Sequence, residues 1–160
     1  LKPRVQVVDL AEIVATCVDR IRRQQPELRI QVNLADDSTL VRADPVFLDR
    51  VLTNLLDNAA KASRESGATE IELEARRSDA QTTVRVTDHG KGVPDMAREQ
   101  LFYSFYQVSQ RHPRLGTGLG LPIARGFLSL MEGRIWIEDT PGGGATFAFS
   151  LPANVAVAAP

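Results

Sequence analysis

Asn54, Asn58 and Lys61 stand at positions i, i+4 and i+7, the spacing that puts three side chains on one narrow stripe of a helix. Amide oxygens are hard ligands that suit Mg²⁺, and a lysine beside them can meet phosphate oxygens. The helix that would carry them has a clear start. Asp44 reads as an N-cap and Pro45 as the first helical residue. Leu48, Val51, Leu52, Leu55 and Ala59 then cluster on a core face, with Asp49, Thr53 and Asp57 roughly opposite. The Asn54/Asn58/Lys61 stripe falls on the border, where a cleft wall would run. Taken alone, it also reads as the ordinary polar flank of an amphipathic helix.

A second group follows an alternating strand. Asp88 is followed by His89, and then by Gly90 and Gly92, one residue apart. A carboxylate at a strand end can accept a hydrogen bond from an exocyclic amine such as adenine N6, and glycines let the backbone approach a flat ligand. A plain turn is the competing reading, and His89 is read as a turn residue.

The third group is Gly116-Thr117-Gly118-Leu119-Gly120-Leu121. Glycines leading into a helix N-terminus offer free N–H groups and a favourable dipole to phosphate. A dinucleotide fingerprint needs a preceding strand, but Arg111-His112-Pro113-Arg114 is loop. The Gly-Lys-Ser/Thr ending of a P-loop is also missing. A flexible linker remains an alternative, and Arg111 and Arg114 are either phosphate partners or solvated charge. The fourth group, Gly142-Gly143-Gly144-Ala145-Thr146-Phe147, opens the last strand, and Thr146 could place its hydroxyl beside Asp88.

The elements that must position these groups follow from periodicity. Asp9 caps a helix over about 10–24, with Leu10, Ile13, Val14, Val18 and Ile21 as its stripe. Strands are predicted over 28–34, 40–43, 71–75, 82–86, 134–138 and 146–151, and helices over 45–63 and 119–131. Gly67 and the stretch from Thr140 to Gly144 mark turns. Pro122 is tolerated near its helix start. The fold class expected is α+β: a two-layer sandwich, with a mixed sheet of about five strands covered on one face by three helices. Residues 1–152 form the domain, and 153–160 a frayed Ala/Val/Pro tail.

The composition fits a single domain of 160 residues. Lys+Arg number 19 and Asp+Glu 20, a balance that argues against nucleic acid as a partner. The single cysteine, Cys17, excludes an intramolecular disulfide; it fits a reducing compartment, and its apolar neighbours make it a buried thiol. No apolar run approaches the roughly 20 residues of a membrane helix. A start at Leu1 suggests a piece of something longer.

Each signal is modest alone, but their order is specific. Asn-Leu-Leu-Asp-Asn-Ala (54–59), Asp-His-Gly-Lys-Gly (88–92), Leu-Phe-Tyr-Ser-Phe (101–105), Gly-Thr-Gly-Leu-Gly-Leu (116–121) and Gly-Ala-Thr-Phe (144–147) resemble the N, G1, F, G2 and G3 boxes of sensor histidine kinases. The resemblance implies the Bergerat-type ATP-binding fold, with ATP and Mg²⁺ as cofactors. It implies that Asn58 binds Mg²⁺ with support from Asn54, and that Lys61 meets phosphate. It gives Asp88 the adenine N6, with Gly90 and Gly92 shaping the floor. Gly116, Thr117, Gly118, Leu119 and Gly120 wrap the phosphates with Arg111 nearby. Phe102 and Phe105 anchor that lid, and Thr146 lines the adenine site. Two residues depart from the pattern: Ala62 stands where an aromatic often follows the lysine, and Pro122 where a small residue is usual. The stretches 124–127 and 138–143 look like potassium-responsive sensor kinases.

The resemblance also implies a phosphoacceptor histidine in a helical hairpin, but the only histidines are His89 and His112, and neither has that setting. The chain is therefore expected to be the catalytic domain alone, a cytoplasmic monomer in isolation. It would belong to a homodimeric, membrane-anchored kinase that passes phosphate through its dimerisation/phosphoacceptor domain to a response regulator. The alternatives are a hydrolytic ATPase of the same fold, or a nucleotide-sensing module without phosphotransfer. Hydrolytic relatives place a glutamate four residues before the metal-binding asparagine; here that position is Asn54, which cannot take a proton.

Overall fold

The computed structural model describes residues 1–103 and 120–154. The chain begins with a strand that periodicity did not predict: β1 (Gln6–Asp9) pairs antiparallel with β3 (Leu40–Ala43). A four-residue strand whose partner lies some thirty residues away leaves little local signal. Helix α1 (Leu10–Gln24) starts where Asp9 accepts a hydrogen bond from the Ala11 N–H at 2.9 Å, and it buries Leu10, Val14, Cys17, Val18 and Ile21.

Helix α2 (Pro45–Ser66) starts where Asp44 accepts from the Val46 and Phe47 N–H groups, as its N-cap role predicts. It runs three residues past the expected Ser63 and ends at Gly67, whose φ of 79° is the left-handed conformation a helix C-terminus favours. Among the described residues there follow a four-residue helix α3 (Asp95–Arg98) and α4 (Gly120–Leu130), with Pro122 in the first turn of α4.

Among the described residues, five strands form the main sheet in the order β2 (Arg29–Leu34), β4 (Glu70–Ser78), β5 (Gln81–Asp88), β7 (Ala145–Pro152), β6 (Arg134–Glu138). Only β2 and β4 pair in parallel; the other neighbours are antiparallel, so the sheet is mixed, as expected. Successive side chains alternate faces. One face carries Ile71, Leu73, Val84, Val86, Phe147, Phe149 and Leu151, which share a single core with the apolar stripes of α1, α2 and α4. The other face is polar and carries Glu74, Arg85, Trp136 and Glu138. There Arg85 forks onto Glu138 at 2.8 and 3.1 Å, and the Trp136 indole N–H donates to the same carboxylate at 2.8 Å. The pair holds Glu138 below the usual carboxylate range and pushes Arg85 up.

Cys17 is buried between α1 and α2, its Sγ 3.7 Å from both Asp49 Oδ2 and Thr53 Oγ1, and burial pushes its thiol up. Ala153 bridges to Val41, and the Asn154 N–H donates to the Leu40 carbonyl at 3.1 Å. The chain therefore stays attached to β3 beyond Pro152, because β3 offers backbone groups that need partners.

Candidate nucleotide site

The site lies where the C-terminal end of β5 meets the middle of α2. Asp88, the last residue of β5, points to the helix side of the sheet and is only 1% exposed. Its Oδ1 accepts the Gly90 N–H at 2.9 Å and the Ala145 N–H at 3.3 Å. Burial pushes its pKa up, and the two backbone hydrogen bonds together with nearby His89 work against that shift. A buried carboxylate held in one orientation by backbone donors is suited to reading an amine.

The turn after Asp88 is built by backbone contact. A Cβ on Gly90 would stand 3.1 Å from the Ala62 carbonyl oxygen and 3.2 Å from the Ala62 Cβ, so this turn rests directly on α2. Gly144, at φ 95°, leaves no room at all: a Cβ there would run into the Asp88 carbonyl and stand 2.8 Å from the His89 Cα. His89 itself turns to the polar sheet face, where its Nε2 lies 2.8 Å from Glu72.

On α2, Asn54 and Asn58 are half-buried on the predicted stripe. The Asn54 amide nitrogen donates to the Gly120 carbonyl at 3.0 Å, which brings the N-terminus of α4 against the middle of α2. Lys61, on the same stripe, lies 4.0 Å from Glu65, one turn on. Phe102 packs partly buried against the core. Two contacts therefore tie the motifs to α2: Gly120 meets it at Asn54, and the turn carrying Asp88 and Gly90 meets it at Ala62, beside Lys61.

Residues 43–155 match the family described as histidine kinase-, DNA gyrase B- and HSP90-like ATPases. The chain belongs to this family. Within it, the relatives are sensor kinases. Over 149 residues the chain is 35% identical to the sensor protein KdpD of Rathayibacter rathayi, covering 92% of this chain and 17% of that protein. The alginate biosynthesis sensor protein KinB of Pseudomonas aeruginosa is 32% identical, over 90% of this chain and 24% of KinB. Among solved structures, full-length ShkA in complex with AMPPNP superposes with a TM-score of 0.78 at 28% identity, covering 99% of this chain and 33% of ShkA. The chain thus corresponds to the ATP-binding domain of a histidine kinase and spans about a fifth of the length of these two curated relatives. KdpD and KinB are similar to it at nearly the same level, so the likeness does not single out one sensor.

The Thr146 hydroxyl, expected beside Asp88, is set one residue along from it. Thr146 is not beside Asp88. It pairs across the sheet with Thr87, on the face away from the helices, and its Oγ1 is 3.0 Å from Thr87 Oγ1 and 2.8 Å from Thr140 Oγ1. The residue opposite Asp88 is Ala145. Side chains alternate along β7, so the register decides which neighbour faces the site. The sequence pattern held the alternation but not the register.

The other expected members, Phe105, Arg111, Gly116, Thr117, Gly118 and Leu119, lie outside the described residues, as do Arg114 and His112. No helix among the described residues is long and apolar enough to cross a membrane. These residues hold no group of three or more His, Cys, Asp or Glu that could bind a metal by themselves. Mg²⁺ arriving on a nucleotide takes most of its ligands from phosphates and water and needs only one or two protein oxygens. The Asn58 amide has no hydrogen-bond partner among the described residues, and Asn54 spends its N–H₂ on Gly120, which leaves amide oxygens for the role.

Proposed function

We propose that this chain binds Mg·ATP and presents the γ-phosphate to a histidine on a separate dimerisation/phosphoacceptor domain of the same kinase. In this reading Asp88 accepts the adenine amine, and Ala145 lines the pocket beside it. Asn58, with Asn54, holds the metal, which supplies charge neutralisation at the phosphates. Lys61 exchanges its weak partner Glu65 for phosphate oxygens. Gly116–Gly120, Thr117 and Arg111 surround the phosphates, and Phe102 and Phe105 anchor that segment. The observation that carries the reading is the buried Asp88 carboxylate, fixed by two backbone N–H groups on a turn that rests on α2 at Ala62, next to Lys61.

Asn54 supports transfer over hydrolysis. Its amide is a hydrogen-bond donor to the Gly120 carbonyl, and an amide cannot take a proton from water. With an amide at the position where hydrolytic relatives carry that base, a histidine brought by another domain is the better nucleophile, and proximity supplies much of the rate. The whole protein would then be a membrane-anchored homodimer, passing phosphate on to a receiver domain.

The test adds radiolabelled ATP to this chain, alone and with the helical-hairpin domain of its own kinase. Acid-labile, base-stable label on the hairpin, with none on this chain, is the expected result. Rapid ATP hydrolysis by this chain alone, lost in Asn54→Ala, would replace the reading with that of a hydrolytic ATPase.

A further inference from the structure

The floor of the site is a stack of three backbones, with Val93 beside it packed partly buried against the core. Gly144 lies on Asp88, and a Cβ on Gly92 would stand 2.7 Å from the Gly144 carbonyl oxygen. Glycine against glycine gives close approach but very little apolar area, so contact alone fixes their separation weakly. Sliding of the 90–94 segment along the 139–144 hairpin would shift the Gly90 N–H, one of the two donors that orient the Asp88 carboxylate.

One arginine spans that joint. Arg98, on α3, donates from Nε to the Val93 carbonyl at 3.3 Å, next to Gly92. Its Nη2 donates to Asp139 Oδ1 at 2.6 Å and lies 3.2 Å from Asp95 Oδ1. The Arg98 side chain is 25% exposed, whereas Asp95 and Asp139 are 87% and 90% exposed. Asp139 opens the hairpin that ends in Gly144. Beside it, Thr140 bonds Thr146 at 2.8 Å, and its carbonyl accepts the Gly143 N–H at 3.0 Å. A continuous path of hydrogen bonds and adjacent residues therefore runs from Val93 through Arg98, Asp139 and Thr140 to Gly143 and Gly144. The geometry resembles a strut across the mouth of the joint.

We propose that Arg98 is a positioning residue for nucleotide binding. Through Asp139 it holds the 90–94 segment on the 139–144 hairpin, and so keeps Asp88 aimed at the base. This rests on the assignment of Asp88 to the adenine. Arg98 does not touch the ligand, and its effect is on the alignment of groups that do. An ion pair whose carboxylate partner is almost fully in solvent contributes little to overall stability, so removing it should change affinity more than folding.

The experiment measures ADP affinity by calorimetry and unfolding temperature without nucleotide, on wild type, Arg98→Met, Arg98→Lys, Asp139→Asn and Asp88→Asn. Arg98→Met is expected to weaken ADP about tenfold, a loss typical of disturbed positioning. Asp139→Asn should lose roughly threefold, in keeping with a half-screened pair. Arg98→Lys, which keeps the charge, should recover part of the loss. Unfolding temperatures of these three variants should stay within about 2 °C of wild type, as for most surface substitutions. The proposal is overturned if Arg98→Met and Asp139→Asn bind ADP as wild type does, or if their affinity falls only in step with unfolding temperature. Wild type that fails to bind ADP, or Asp88→Asn that binds it equally well, would instead remove the adenine assignment beneath it.

Discussion

The Asn54 amide nitrogen meets the Gly120 carbonyl oxygen at 3.0 Å, joining the middle of α2 to the first residue of α4. The contact spans 66 residues of sequence and closes one side of the site. It gives Asn54 a role in the fold as well as its proposed role near the metal.

Asn54→Asp tests that joint. A carboxylate there would face the Gly120 carbonyl with no hydrogen to offer, leaving an acceptor without its donor. The expected cost is about 1–3 kcal/mol, the penalty for a half-buried polar group left unsatisfied. Urea unfolding without nucleotide measures it. Unchanged stability would show that the Asn54–Gly120 bond contributes nothing to the fold.

Asp88→Asn should weaken ATP by at least about tenfold, because a charge-assisted acceptor for the amine becomes a neutral amide that can present N–H₂ against it. GTP, which carries a carbonyl in place of the amine, should bind the wild type poorly. Competition titration with the two nucleotides checks both points, and equal GTP and ATP affinities would remove Asp88 from base reading.

The same residue sets a pH dependence. Burial raises the Asp88 pKa in the folded chain, so the folded state holds the proton more tightly than the unfolded state does. Ionised Asp88 therefore weighs against folding. The penalty appears as pH rises from the ordinary carboxylate range through the raised value, and it is full above that. Without nucleotide, Asp88→Asn should be at least as stable as wild type at neutral pH, with the difference shrinking as pH falls toward the ordinary range. Thermal unfolding across pH measures it; a mutant destabilised at neutral pH and converging with wild type only at high pH would contradict the sign.

Gly144 and Gly142 form a matched pair. Both have positive φ, 95° and 84°, but only Gly144 lies against another backbone, and nothing approaches a Cβ at Gly142. Gly142→Ala should cost about 1 kcal/mol from backbone strain alone. Gly144→Ala must also push β7 away from Asp88, so its loss should exceed about 3 kcal/mol, as in overpacked cores. Similar losses in urea unfolding for both would mean that the close approach is not rigid.

Thr146→Val and Ala145→Leu separate the two neighbours on β7. Thr146→Val breaks the hydroxyl contacts to Thr87 and Thr140 and should lower stability by about 1 kcal/mol while changing ADP affinity less than about twofold. Ala145→Leu adds bulk opposite Asp88 and should cut affinity by more than about tenfold, as a clash built into a binding pocket does. Calorimetry with ADP decides, and the reverse order would return Thr146 to the site.

Much of this protein could be read one residue at a time. Asp9, Asp44, Pro45 and Gly67 mark helix ends because capping is local chemistry between neighbours a few residues apart. The apolar stripes of α1 and α2 follow from the helical period, and Asn54, Asn58 and Lys61 fall on one stripe for the same reason. The order of the glycine and asparagine motifs sufficed for the family resemblance, which the comparisons bore out. Contacts between distant segments were not legible in this way. The β1–β3 pairing, the attachment of Ala153 to Val41, the Asn54–Gly120 bond and the Arg98–Asp139 strut each join residues far apart in sequence. Local propensity carries no record of such pairs. The exchange of Thr146 for Ala145 is the sharpest case: alternation along β7 is written in the residues, but which half faces Asp88 depends on the register against β5. That register is fixed by the burial of Phe147 and Phe149 under the helices, a choice made only when the core assembles.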